Sequence, residues 1–166
     1  MWQAYYAKEN GRLFALLVTM LREQYHYSWL QATREGYHLA RAAATFGNAR
    51  SNYDVVLPDL ERAYATAKSW TGAGFDPAAI ARLELDWWVA RRIPGRDSPE
   101  QVGAIMADEY ALLYEAPRPA VLQAALLRAR AGRLRDETAQ NPDWNSVGQL
   151  LQESYRSLKT GLRRES

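Results

Sequence analysis

The chain has 166 residues, a formal net charge of +2 and ordinary shares of hydrophobic (48%) and charged (24%) residues. This composition excludes intrinsic disorder and the strong charge of a nucleic-acid-binding or membrane-surface protein. The absence of cysteine excludes disulfides, thiolate metal sites and cysteine nucleophiles. The longest apolar run, Leu13 to Leu21, is about half as long as a membrane span. We therefore expect a cytoplasmic protein with one domain over residues 1–166, and the excess of arginine over lysine indicates a bacterial coding sequence.

Proline and glycine mark the predicted helix boundaries along the chain. Residues 13–46 show helical periodicity without proline and form one long helix or, because Ser28 to Gln31 match a capping box, two helices with a break near Tyr27. Further helices are predicted at 58–71, 77–92, 99–115, 121–137 and 145–163. No useful stretch alternates with a period of two, so the sequence predicts an all-α, single-domain bundle of six to seven helices.

Both histidines of the chain occur in Glu-x-x-His frames, Glu23 with His26 and Glu35 with His38. Such frames supply ligands to di-metal sites in four-helix bundles. On one straight helix, twelve residues separate the frames by about 18 Å and about 120° of rotation, whereas metal–ligand bonds are about 2 Å long. On one straight helix the frames therefore cannot share a metal, and a break at Ser28 would leave almost no loop for an antiparallel return. Only the second frame lies at the edge of the apolar helix face. The simpler interpretation of either histidine is a hydrogen-bonded surface group.

Two glutamates fall among apolar residues of the helices that follow Pro77 and Pro99. Glu84 lies between two apolar arcs of the first helix, and Glu109 lies within the core stripe of the next. The short connection predicts an antiparallel pair with the two glutamates almost level. Two buried carboxylates require a shared proton, a cation or an arginine.

These acids suggest a metal site within the bundle. Its ligands would be Glu35, His38, Glu84 and Glu109, and its metal Fe, Mn or Zn. The alternative is a structural network without metal, in which Arg91, Arg41 or another arginine neutralises the carboxylates and tyrosine hydroxyls donate hydrogen bonds.

Aromatic residues beside these acids predict either the wall of a ligand pocket or a dimer interface, since both are rich in aromatic residues and arginine. The candidate residues are Trp87, Trp88, Arg91, Tyr110 and Tyr114.

No catalytic motif or cofactor-binding motif is present: the chain has no glycine-rich phosphate loop, no zinc spacing and no basic recognition helix. Catalytic residues are therefore unassigned. We expect a protein-interaction or assembly module that self-associates, most simply as a dimer, without nucleic-acid or membrane partners. The alternative is a metal-dependent enzyme or small-ligand binder with a ferritin-like carboxylate and histidine site inside the bundle.

Overall fold

The structure, a computed structural model, describes residues 1–163 except for the side chain of Gln24. Over these residues every regular element is helical. The elements are α1 (Trp2–Tyr6), α2 (Asn10–Tyr25), α3 (Trp29–Asn48), a 3₁₀ turn (Tyr53–Val56), α4 (Leu57–Thr71), α5 (Pro77–Ala90), α6 (Pro99–Leu113), α7 (Arg118–Glu137) and α8 (Trp144–Arg163). The all-α prediction is confirmed. The described part of the chain has eight α-helices rather than six to seven, because α1 was not predicted and residues 13–46 form two helices.

The break between α2 and α3 has the predicted capping box. The backbone N–H of Gln31 donates to Ser28 Oγ at 3.3 Å, and Gln31 Oε1 accepts from the Ser28 N–H at 2.8 Å. His26 ends α2 with a left-handed backbone, φ 57°. The chain then turns back within the three residues that separate Tyr25 from Trp29, so that α3 packs along α2. The expectation that a break here leaves too little chain for an antiparallel return is therefore wrong, because the left-handed His26 reverses the chain in a short turn. A methyl group at Gly36 would lie 3.2 Å from Val18 Cγ2, which indicates a close approach of the two helices.

The chain divides into two compact units, Met1–Ala81 and Arg82–Ser166, and the boundary falls within α5. In the first unit α3 packs against both α2 and α4. A core beside the α2–α3 turn consists of Val18, Leu21, Tyr27 and Ala32, with Phe14, Met20 and Trp70 packed against it. That the two units form a single domain stays a prediction.

In the second unit α7 packs against both α6 and α8. The core consists of Trp87, Ala90, Val102, Met106, Ala107, Tyr110, Val121, Ala124, Ala125 and Ala129. Small residues bring the helices close together: Gly103 faces Leu126, and Gly161 faces the backbone of Ala120. No helix within residues 1–163 is both long and apolar enough to cross a membrane.

Candidate functional site

The second unit contains a buried polar group between α5 and α6. The indole N–H of Trp87 donates to Glu109 Oε2 at 2.6 Å, and both side chains are buried. A carboxylate in such a place is stable only if charge or hydrogen bonds compensate for its lost hydration. The Trp87 bond supplies part of this compensation.

Arg128 on α7 supplies the opposite charge. Its guanidinium carbon lies 5.9 Å from the centroid of the Trp87 ring. The pKa of Arg128 is raised above its ordinary value, first by Tyr110 and then by Glu109 and Glu84, while burial opposes the shift. Both glutamates that the sequence predicts to face inward therefore act on one arginine, as the network alternative requires. We call Glu84, Trp87, Glu109, Tyr110 and Arg128 the polar core.

Sequence reasoning missed Arg128 because the charges of residues 128–137 are spread around their helix. The sequence does contain a signal that Arg128 faces the core. Arg128 follows Val121 by seven residues and Ala124 by four, so it lies on the same helix face as these two buried residues.

The predicted neutralising arginines have other acidic partners. Arg91 Nη2 donates to Asp136 Oδ2 at 2.7 Å and to the Gly132 carbonyl at 3.3 Å. A methyl group at Gly132 would lie 3.0 Å from Arg91 Cζ, so glycine leaves room for the guanidinium. Arg41 pairs with Asp59 in the first unit. These contacts fix Arg91 against α7.

The predicted pocket or interface residues pack within the second unit. Trp87 and Tyr110 are buried, and Trp88 and Tyr114 are partly buried against the same core. The rings of Trp87 and Trp88 meet edge to face at 6.0 Å, and those of Tyr110 and Tyr114 at 5.9 Å. Their use as a pocket or an interface stays a prediction.

Glu35 lies in the first unit, on the buried side of α3, with 7% of its surface exposed. Burial raises the pKa of Glu35 to about 7, while a hydrogen bond from Tyr27 opposes the rise. The second carboxylate oxygen, Oε2, has no hydrogen-bonding partner. Glu35 is thus a buried acid with one phenol partner.

His38 lies one turn further along α3 and contacts α4. Its Nδ1 is 3.2 Å from Oδ1 of Asp59, a buried residue in the first turn of α4. Arg41 Nε lies 3.0 Å from Asp59 Oδ2, and Arg62 Nη1 lies 4.0 Å from Oδ1. We call His38, Arg41, Asp59 and Arg62 the basic cluster.

The four predicted metal ligands are divided between the units, Glu35 and His38 in the first and Glu84 and Glu109 in the second. Among residues 1–163, no group of three or more histidine, aspartate and glutamate side chains is arranged to hold a metal ion. The metal site stays a prediction.

An exposed apolar strip runs along the outer side of α3. Trp29, Leu30 and Tyr37 are 65%, 79% and 52% exposed, and Thr33 and Arg34 between them are exposed as well. We call these five residues the α3 outer face. Within residues 29–41 the only acidic residue of α3 is Glu35, which is buried. The exposed side chains of this face are therefore apolar, hydroxyl-bearing or positively charged.

No protein-family model, curated protein or solved structure matches the chain.

Proposed function

We propose that this protein is an interaction module that self-associates as a dimer through the α3 outer face. The observation that carries the proposal is the exposure of Trp29 and Leu30, two large side chains in the first turn of α3. Tryptophan, tyrosine and arginine dominate the binding energy of protein interfaces, and this face contains all three. Scattered apolar residues need no explanation, but a continuous strip of them marks an interaction surface.

Charge complementarity favours a second copy of the chain as the partner. Arg34 on the face and Glu23 on α2 are both exposed, and neither has an ion-pair partner among the described residues. Gly36 on α3 lies opposite Val18 on α2, since a methyl group at Gly36 would lie 3.6 Å from the backbone nitrogen of Val18. The two helices run antiparallel, so Glu23, five residues nearer the turn than Val18, lies near the level of Gln31.

A two-fold axis near Thr33 would use these groups twice, as isologous interfaces do. Two α3 helices packed antiparallel about that axis bring Trp29 of one copy beside Tyr37 of the other. The same pairing brings Arg34 of each copy to the level of Glu23 of the other. The aromatic contacts would supply affinity, and the two charge pairs would fix the register.

Light scattering across a concentration series tests the proposal. We expect the wild-type chain to dimerise and Leu30→Ser to shift it to monomer, because Leu30 is exposed and its loss leaves the folded monomer intact. Leu112→Ser is the matched control, since Leu112 on α6 is 46% exposed but lies outside the face. Equal effects of the two substitutions, or a wild-type monomer at every concentration, would overturn the proposal.

Charge reversal tests the register. Arg34→Glu should weaken the dimer by placing two acids together, and Arg34→Glu combined with Glu23→Arg should restore it. If the double variant remains as weak as the single one, the proposed axis is wrong.

A further inference from the structure

The basic cluster gathers three basic side chains around one buried carboxylate. Asp59 is 4% exposed, and a side-chain nitrogen of each of His38, Arg41 and Arg62 lies within 4.0 Å of one of its carboxylate oxygens. Asp59 carries one negative charge and the two arginines carry two positive charges. The cluster therefore keeps a net positive charge even with a neutral imidazole.

The ring of His38 is oriented by this carboxylate. A carboxylate accepts hydrogen bonds, so its contact with Nδ1 favours the tautomer that carries the proton on Nδ1. The other ring nitrogen, Nε2, has no hydrogen-bonding partner among the described residues, and 16% of the His38 side chain is exposed. The contact with Asp59 thus fixes the orientation of a ring whose second nitrogen is available to a ligand.

Both guanidinium groups are accessible, and that of Arg41 is anchored by Asp59. Arg41 uses Nε for Asp59, which leaves its Nη groups for another acceptor, and its side chain is 53% exposed. Arg62 is 61% exposed and lies at the edge of the same carboxylate. Planar guanidinium groups match the oxygens of a phosphate, and such charge-assisted hydrogen bonds are the strong ones.

We propose that His38, Arg41 and Arg62 form a binding site for a phosphate monoester, with Asp59 as the buried group that positions them. The phosphoryl oxygens accept from the two guanidinium groups and from Nε2 of His38 when the imidazole is protonated. A metal cation is repelled by the two arginines. The site borders the α3 outer face, because the Tyr37 ring contacts that of His38 and Arg41 follows Tyr37 by one helical turn. The phosphate titration is therefore repeated on Leu30→Ser, which keeps all three basic residues, so that a failure of phosphate binding and a failure of dimerisation can be told apart.

Nuclear magnetic resonance of the two histidines tests this site on the full chain. Phenyl phosphate and inorganic phosphate are titrated at constant ionic strength, with sodium chloride as the matched salt. We expect a saturable shift of the His38 ring signals and none at His26, an exposed histidine at the end of α2. Absence of saturation at His38, or an equal shift with chloride, would overturn the proposal.

Arginine variants locate the binding. Arg62→Gln should weaken phenyl phosphate binding about tenfold through loss of a charge-assisted contact, while circular dichroism confirms an unchanged fold. Arg156→Gln removes the same charge from an exposed position on α8 and should leave the affinity unchanged. Equal weakening by both variants would show mere attraction to net charge and contradict the site.

A phosphoserine peptide distinguishes two sources of the ligand. Binding tighter than that of phenyl phosphate identifies a phosphorylated residue of another chain. Equal binding identifies the phosphoryl group itself, as in a small phosphorylated compound. If neither probe shifts His38, the proposal fails.

Discussion

Gly161 on α8 should tolerate no side chain, because it lies against the backbone of α7. A methyl group at Gly161 would overlap the carbonyl oxygen of Ala120, and its carbon would lie 2.9 Å from the carbonyl carbon. A backbone carbonyl cannot rotate away as a side chain can, so α8 must shift. That shift would disturb neighbouring contacts, including the bond of 2.7 Å from Ser154 Oγ to the Ala124 carbonyl.

The magnitude follows from two opposing terms. Overpacking costs about 1–3 kcal/mol, and replacing a helical glycine by alanine gains up to about 1 kcal/mol. Because the clash is with backbone, we expect Gly161→Ala to lower the free energy of unfolding by about 2 kcal/mol net. For a chain of this size that loss lowers Tm by about 4–8 °C.

Thermal unfolding followed by circular dichroism measures this change. Gly148→Ala is the matched control on the same helix, because a methyl group at Gly148 would meet no atom within 4 Å. The control should be neutral or raise the free energy of unfolding by up to about 1 kcal/mol. If both substitutions stabilise the protein equally, the close packing of α7 and α8 is refuted.

Three further predictions concern single interactions. Burial raises the pKa of Glu35 from 4.5 to about 7, so between these values the folded protein holds a proton that the unfolded chain releases. The free energy of unfolding should therefore fall by about 3 kcal/mol as the pH rises from about 5 to above 7. Urea unfolding at the two ends of this pH range measures the fall, and Glu35→Gln should remove most of it; the same fall in the variant would contradict the prediction. Trp87→Phe removes the hydrogen-bond donor to Glu109 and should lower the free energy of unfolding by about 1–3 kcal/mol. In a double-mutant cycle with Glu109→Gln the two losses should not be additive; additive losses would refute the hydrogen bond. Ser28→Ala removes the N-cap of α3 and should cost about 1 kcal/mol in urea unfolding, whereas Ser51→Ala, at an exposed position outside the helices, should cost nothing.

Helix boundaries are predictable where adjacent residues encode them. Ser28 and Gln31 form both bonds of a capping box that the sequence alone indicates. Prolines 77 and 99 likewise begin α5 and α6, as their positions predict. By contrast, α1 has five residues and no side-chain cap, so it carries neither a periodicity nor a start signal.

The candidate sites are less predictable, because their members are distant in sequence. The sequence indicates that His38 lies at a helix edge, but its partner Asp59 is 21 residues away on another helix. An acid in the first turn of a helix is explained by the helix dipole alone, so its burial is not foreseen. Likewise helical periodicity places Arg128 on the buried face of α7, but its approach to Glu109 depends on the packing of α7 against α6, which periodicity does not specify.

Mixing two singly substituted chains tests the central claim, dimerisation through the α3 outer face, most directly. Each of Glu23→Arg and Arg34→Glu alone places like charges together at both proposed pairs and should weaken its own dimer. An equimolar mixture restores opposite charges at both pairs, so sedimentation equilibrium should show dimers that neither variant forms alone at the same concentration. A mixture that remains as monomeric as its components would contradict the claim.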